Sequence, residues 1–147
     1  MPTLAKSSAG TSLSISASLP ASEVIGSYTA LSYTVIAEVT SISELGKVYN
    51  KITHNPLNDR KTYKLKGSYD QGVLAVELAK AISNAGQTLL LAASNSDSDY
   101  TFKITYQDLT ADYFTGKAMD FKTKIGGVDS ILGASTNVEL TSDIFTA

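Results

Sequence analysis

The stretch Ser83-Asn84-Ala85-Gly86-Gln87-Thr88-Leu89-Leu90-Leu91-Ala92-Ala93-Ser94-Asn95-Ser96-Asp97-Ser98 decides how the rest of the chain is read. It is the clearest helix in a sequence that otherwise alternates like strands and turns. Asn84 can cap the first turn with its side-chain carbonyl, and Gln87 follows at the spacing of a capping box. Leu89, Leu90 and Ala93 share one face, an apolar stripe that must lie against something. The run closes in Ser94-Asn95-Ser96-Asp97, whose side chains compete for backbone hydrogen bonds and favour a turn. One short helix with an apolar face, set between groups of strands, implies a sheet that it covers.

Upstream, residues 1–24 read as an extended N-terminal arm, and residues 25–147 as a single β-domain. The arm is rich in Ser, Ala and Thr. Its alternating Leu13 and Ile15 offer too little apolar surface to fold alone, but enough for a strand that adds to a waiting edge. Residues 28–42 alternate Tyr33, Val35, Ala37 and Val39 with Ser32, Thr34, Ile36, Glu38 and Thr40. Being β-branched and free of Pro and Gly, they read as one strand. Residues 43–60 carry Gly46 and the turn pairs Asn55-Pro56 and Asn58-Asp59, and read as a long polar loop. Loops of that length usually mean function or partner contact. Tyr63, Leu65, Gly67 and Tyr69 then alternate with Lys64, Lys66 and Ser68. The turn at Asp70-Gln71-Gly72 suggests a hairpin into a strand over residues 73–80, although Leu74, Leu78, Ala81 and Ile82 would also fit a helix.

Downstream of the helix, residues 100–107 alternate Phe102, Ile104 and Tyr106 with Thr101, Lys103 and Thr105. A turn at residues 108–110 leads into a long strand over 111–124, bent at Gly116. Gly126-Gly127-Val128-Asp129 is another turn, and residues 131–140 make the closing strand. About seven strands with one flanking α-helix define a mainly β fold, an antiparallel β-sandwich or barrel.

The totals exclude several classes. A chain of 147 residues with 43% apolar side chains can bury a core of its own. Without cysteine it has no disulfide scaffold, thiolate metal site or cysteine nucleophile. A net charge of −2 leaves no overall footprint for nucleic acid. No apolar run reaches the roughly 20 residues that cross a bilayer. No apolar core follows Lys6 as in a signal peptide, so the expectation is a protein made in a cytoplasm-like compartment without membrane insertion.

Nor does the sequence carry a catalytic signature. His54 is the sole histidine, and with serines everywhere its coexistence with Ser and Asp means nothing. Asp97 and Asp99 begin like a calcium loop, but Phe102 stands where the sharp turn wants glycine. Glu38 and Glu77 read as acids on the solvent side of strands, and the eight tyrosines as sheet and interface residues. The reading is of no enzyme, no metal and no cofactor. Charge, however, is unevenly placed. Lys47, Lys51, Arg60, Lys61, Lys64 and Lys66 face one acid, Asp59, whereas residues 95–147 are predominantly acidic. The two regions could pair within the fold, stay solvated, or meet between copies.

Several stretches, in order, resemble the tail tube proteins of long non-contractile-tailed (siphovirus-type) bacteriophages. They are Leu31-Ser32-Tyr33-Thr34-Val35-Ile36-Ala37-Glu38-Val39-Thr40-Ser41-Ile42, Thr53-His54-Asn55-Pro56-Leu57 and Lys64-Leu65-Lys66-Gly67-Ser68-Tyr69, then Asn84-Ala85-Gly86-Gln87-Thr88-Leu89-Leu90. Ser98-Asp99-Tyr100-Thr101-Phe102-Lys103-Ile104-Thr105, Phe121-Lys122-Thr123-Lys124 and Gly127-Val128-Asp129-Ser130 complete the series. Each is ordinary β-protein sequence; their ordered sum carries the resemblance, from about Thr11 to the C-terminus.

The resemblance implies a β-sandwich flanked by one helix and assembled into a hexameric ring, whose inner strands join into one barrel and so lose their exposed edges. Rings would stack head to tail, a contact that does not close and so builds a hollow tube for genome delivery. Residues 43–60, the N-terminal arm and the C-terminal tail would reach a neighbouring ring, with Lys47, Lys51, His54 and Arg60 as candidate inter-ring contacts. Lumen acids would repel passing double-stranded DNA, and Glu38 and Asp120 are the candidates. The implied partners are further copies of the chain, a tape-measure protein, a tail-tip initiator and a tail terminator, in a virion tail assembled in the host cytoplasm. The alternatives are a β-sandwich binding or adhesion module, and a tail terminator or head–tail joining protein of the same fold.

Overall fold

The computed structural model describes residues 5–81 and 83–147, so the first four positions of the expected arm lie outside the described residues. Along the chain run β1 (Ser12–Ser16), α1 (Ile25–Thr29), β2 (Thr34–Ile36), β3 (Val39–Ile42), β4 (Val48–His54), β5 (Tyr63–Asp70) and β6 (Val73–Ala79). They are followed by α2 (Ala85–Ser94), β7 (Tyr100–Thr105), β8 (Ala111–Ala118), β9 (Lys122–Lys124), β10 (Gly133–Leu140) and β11 (Phe145–Thr146). Every strand pairing is antiparallel. The fold is mainly β, as the alternation dictates.

Nine strands form one sheet, ordered β2-β1-β7-β8-β10-β6-β3, with β11 beside β8 and β9 beside β10. Its two ends, β2 and β3, are consecutive in the chain, and the sheet buries one main core, with a smaller cluster of Tyr28, Ala111 and Tyr113 apart from it. Leu13, Ile15, Leu74, Val76, Phe102, Phe114 and Val138 fill the main core without exposure. Leu90 and Ala93 of α2 join them, so the helix does cover the sheet.

The corner between β2 and β3 corrects the reading of residues 28–42 as one strand. Glu38 lies in the left-handed region at φ 62°, and the chain there leaves β1 for β6. Two side chains of the helix start hold this corner. Asn84 caps α2 by accepting from Gln87 N (3.1 Å), and the same oxygen accepts from Ala37 N (3.2 Å). Gln87 does not return the capping bond expected of it. Fully buried, it donates to the carbonyls of Ala37 (2.8 Å) and Ala79 (3.0 Å) and accepts from Ala81 N (2.8 Å). Gly86 lets the helix approach, because a Cβ there would stand 2.2 Å from the Val35 carbonyl oxygen.

Other elements also differ from the alternation reading. Residues 25–29 form a short helix whose Tyr28 is fully buried beside Tyr113 and Phe145. Leu13 and Ile15 do lie on a strand, but it is interior, bonded to β2 and β7 on its two sides. The strand over 111–124 is two strands, β8 ending at Ala118 and β9 beginning at Lys122. Between them Asp120 accepts from Asn137 N and Nδ2 (both 3.0 Å), and its carbonyl accepts from Thr136 Oγ1 (2.6 Å). Gly116 serves close strand packing, since a Cβ would meet the Glu139 oxygen at 2.7 Å.

Candidate assembly surface

The largest departure is in residues 43–70. Seven residues of the expected loop form β4, which pairs with β5 in a separate two-stranded sheet. β5 and β6 therefore do not form the hairpin suggested by Asp70-Gln71-Gly72. β5 turns back along β4, whereas β6 enters the main sheet between β10 and β3. The two strands also differ in burial: Leu74, Val76 and Leu78 of β6 are buried, while β4 and β5 stay exposed along almost their whole length.

Register assigns the hairpin two unlike faces, because directly opposed residues share a side. Tyr49 opposes Tyr69, Lys51 opposes Lys66 and Thr53 opposes Lys64, which makes one face basic and aromatic. Ile52 opposes Leu65, His54 opposes Tyr63 and Val48 opposes Asp70, which makes the other largely apolar. An irregularity between these sets, where Gly67 and Ser68 face the single Asn50, moves Tyr69 away from Tyr63 and Leu65, against strict alternation. The basic face is organised by its rings. Lys66 Nζ lies 4.8 Å from the Tyr49 centroid, and Lys47 Nζ 4.7 Å from that of Tyr69. Tyr49 also raises the Lys47 pKa by stabilising its cation.

At the tip, the Tyr63 hydroxyl donates to Asp59 (2.6 Å), and Lys61 N donates to the same carboxylate (3.0 Å). These bonds hold Asp59 below its ordinary pKa and push Tyr63 up. Leu57 projects beyond the tip fully exposed. A lone two-stranded hairpin is marginal in water. This one leaves Val48 71%, Leu65 60% and Ile52 49% exposed.

The structure thus brings Lys47, Lys51, His54 and Arg60 onto one projecting hairpin. Tyr49, Tyr69, Lys64 and Lys66 lie on the same hairpin. Glu38 is exposed at its corner, and Asp120 is partly buried with both carboxylate oxygens on Asn137. Asp99 binds Lys117 and Thr141, Asp112 binds Tyr106 and Thr146, and Asp143 accepts from Tyr69 and Gln71. Lys6 ties the N-terminal segment to Asp108 and, with Thr110, holds that carboxyl well below the usual range. Much of the acidic half is therefore satisfied within the chain. None of the three ion pairs among the described residues involves a hairpin lysine.

A second exposed apolar feature escaped the sequence reading. In the turn between β9 and β10, Ile125 is 71%, Val128 102% and Ile131 81% exposed. The turn is closed by Ser130 N donating to Gly127 O (3.1 Å), with Gly126 at φ 70°. Lys80 N donates to Leu132 O (2.8 Å) and fixes the turn to the end of β6.

No family model matches this sequence, and no curated protein matches it. The fold does match solved structures. A chain of the anti-feeding prophage baseplate aligns over 100% of this chain and 97% of its own, with TM-score 0.71 and 13% identity. The SPP1 tail tube aligns over 92% of this chain and 75% of its own, with TM-score 0.65 and 12% identity. A chain of the sheath/tube terminator structure of PVC, an extracellular contractile injection system, aligns over 93% and 92%, with TM-score 0.62 and 11% identity. The fold is the one that these tail tube and baseplate structures share.

Proposed function

We propose that this chain is a structural subunit of a phage-type tail. It assembles into hexameric rings that stack into the hollow tube through which a genome is delivered. The observation that carries this reading is a tail-tube fold matched over nearly the whole chain, with an exposed hairpin that its own domain leaves uncovered. A head-to-tail contact through such a projection is heterologous and builds a filament. On this reading the protein is not an enzyme and resides in the virion after assembly in the host cytoplasm. Its partners are its own copies, a tape-measure protein, a tip initiator and a terminator. The long non-contractile tail type rests on the sequence resemblance alone. Glu38 is the better of the two proposed lumen acids, because its carboxylate is exposed whereas that of Asp120 is engaged.

A second reading, a tail terminator, is favoured by the match to the PVC terminator structure over most of both chains. One experiment separates the two. Purified protein is concentrated and imaged by negative-stain electron microscopy at low and high salt. Open-ended tubes of uniform width support the tube subunit; single rings that never stack support the terminator. Monomers that fail to elongate on a tail-tip complex overturn both.

A further inference from the structure

We infer that the hairpin's apolar face docks on the 125–132 turn of the next copy, so that this turn is the receiving surface of the stacking contact. The inference rests on the tube reading and names its second half. Both features leave the same pair of strands, at opposite ends. The hairpin joins β6 at Val73, which opposes Glu139 of β10, whereas the turn ends at Gly133, which opposes Ala79. Seven residues of β6 separate them, about 20 Å along the strand. Projections at opposite ends of one element meet when copies are translated along it, which is the geometry of a stack.

The surfaces also match in kind. Ile125, Val128 and Ile131 crowd one short turn, and Val48, Ile52 and Leu65 line one hairpin face; solvated apolar groups this concentrated mark contact sites. The turn's one charge is Asp129, while residues 47–66 carry six cations against Asp59, which Tyr63 and Lys61 already engage. The acids most available to that hairpin are few, since Asp99, Asp112, Asp120 and Asp143 have partners within the chain. Pairing hairpin with hairpin through the same apolar face would be isologous and stop at a dimer, whereas a stack needs two different surfaces.

The absence of cysteine gives a clean test. The full chain is made with Leu65→Cys, with Ile131→Cys and with both, then assembled and oxidised. The expected result is a ladder of covalent multimers from the double variant, and a dimer when the two single variants are mixed. In parallel, Ile131→Asp should raise the concentration needed for assembly about tenfold or more, with an unchanged melting temperature. Wild-type stacks without the ladder, or Ile131→Asp stacking normally, would overturn the inference and leave the tube reading standing. Dimers from Leu65→Cys alone would overturn it in favour of hairpin pairing. A wild-type chain that never stacks, with or without a tip complex, removes the tube reading and this contact together.

Discussion

The α2 corner and the β4–β5 hairpin are opposite solutions for a polar backbone. At the corner, one buried glutamine satisfies three backbone groups where the sheet changes direction, and a glycine admits the helix. The hairpin pairs its backbone on one side of each strand only, and leaves both edges and most side chains exposed. One region is complete within the chain; the other, on the proposed reading, is completed by a neighbouring copy. Substitutions should therefore damage folding at the first and association at the second.

The largest effect belongs to Gln87→Leu. It removes three buried hydrogen bonds and should destabilise the monomer by about 3–4 kcal/mol, seen as a melting temperature lower by roughly 10 °C. Gly86→Ala should follow at about 2–3 kcal/mol, because its Cβ meets backbone that cannot rotate away. Asp120→Ala should cost about 1–2 kcal/mol through the lost Asn137 bonds. A melting temperature indifferent to that change would return Asp120 to the role of a free lumen acid.

A pH effect comes next. The Asp108 carboxyl is held down by Lys6 and Thr110, so the stability it adds is present above the ordinary carboxylate value near 4. That stability is lost as pH falls through the lowered folded value. Hydrogen exchange at residues 6–11 should accelerate only in strong acid, while the Gln87 corner, with no titrating group in its network, should stay protected. The smallest change is expected for Ile52→Ser, within about 0.5 kcal/mol of the wild-type monomer. The same substitution should strongly reduce sedimenting assemblies; a large drop in monomer stability would mean that the hairpin is part of the fold after all.

How far the sequence could be read follows the same division. Helix α2 was legible from Asn84 to Asn95 because capping and apolar spacing act over a few residues. The 7–8 hairpin was legible too, since Asp108 and Thr110 close its turn locally. Gln87 was singled out at the right position for the wrong bond, because its partners lie on Ala37, Ala79 and Ala81, which only folding brings near. β4 was missed because a strand that serves no core shows weak apolar alternation, and its flanking turns dominate the local signal.

Lys47, Lys51, His54 and Arg60 were named as candidate contacts from charge, turn chemistry and the resemblance, and they remain candidates. Their neighbours Tyr49 and Tyr69 needed the register, and the 125–132 turn needed to be seen exposed. Alternation, capping and composition, all short-range properties, determined by themselves that this is an antiparallel β-protein with a helix on its sheet. Which strands pair, where the chain switches edges at Glu38, and which apolar groups remain outside the core were decided by the tertiary structure. Those choices depend on which segments compete for one interior, and that competition runs between residues far apart in the chain.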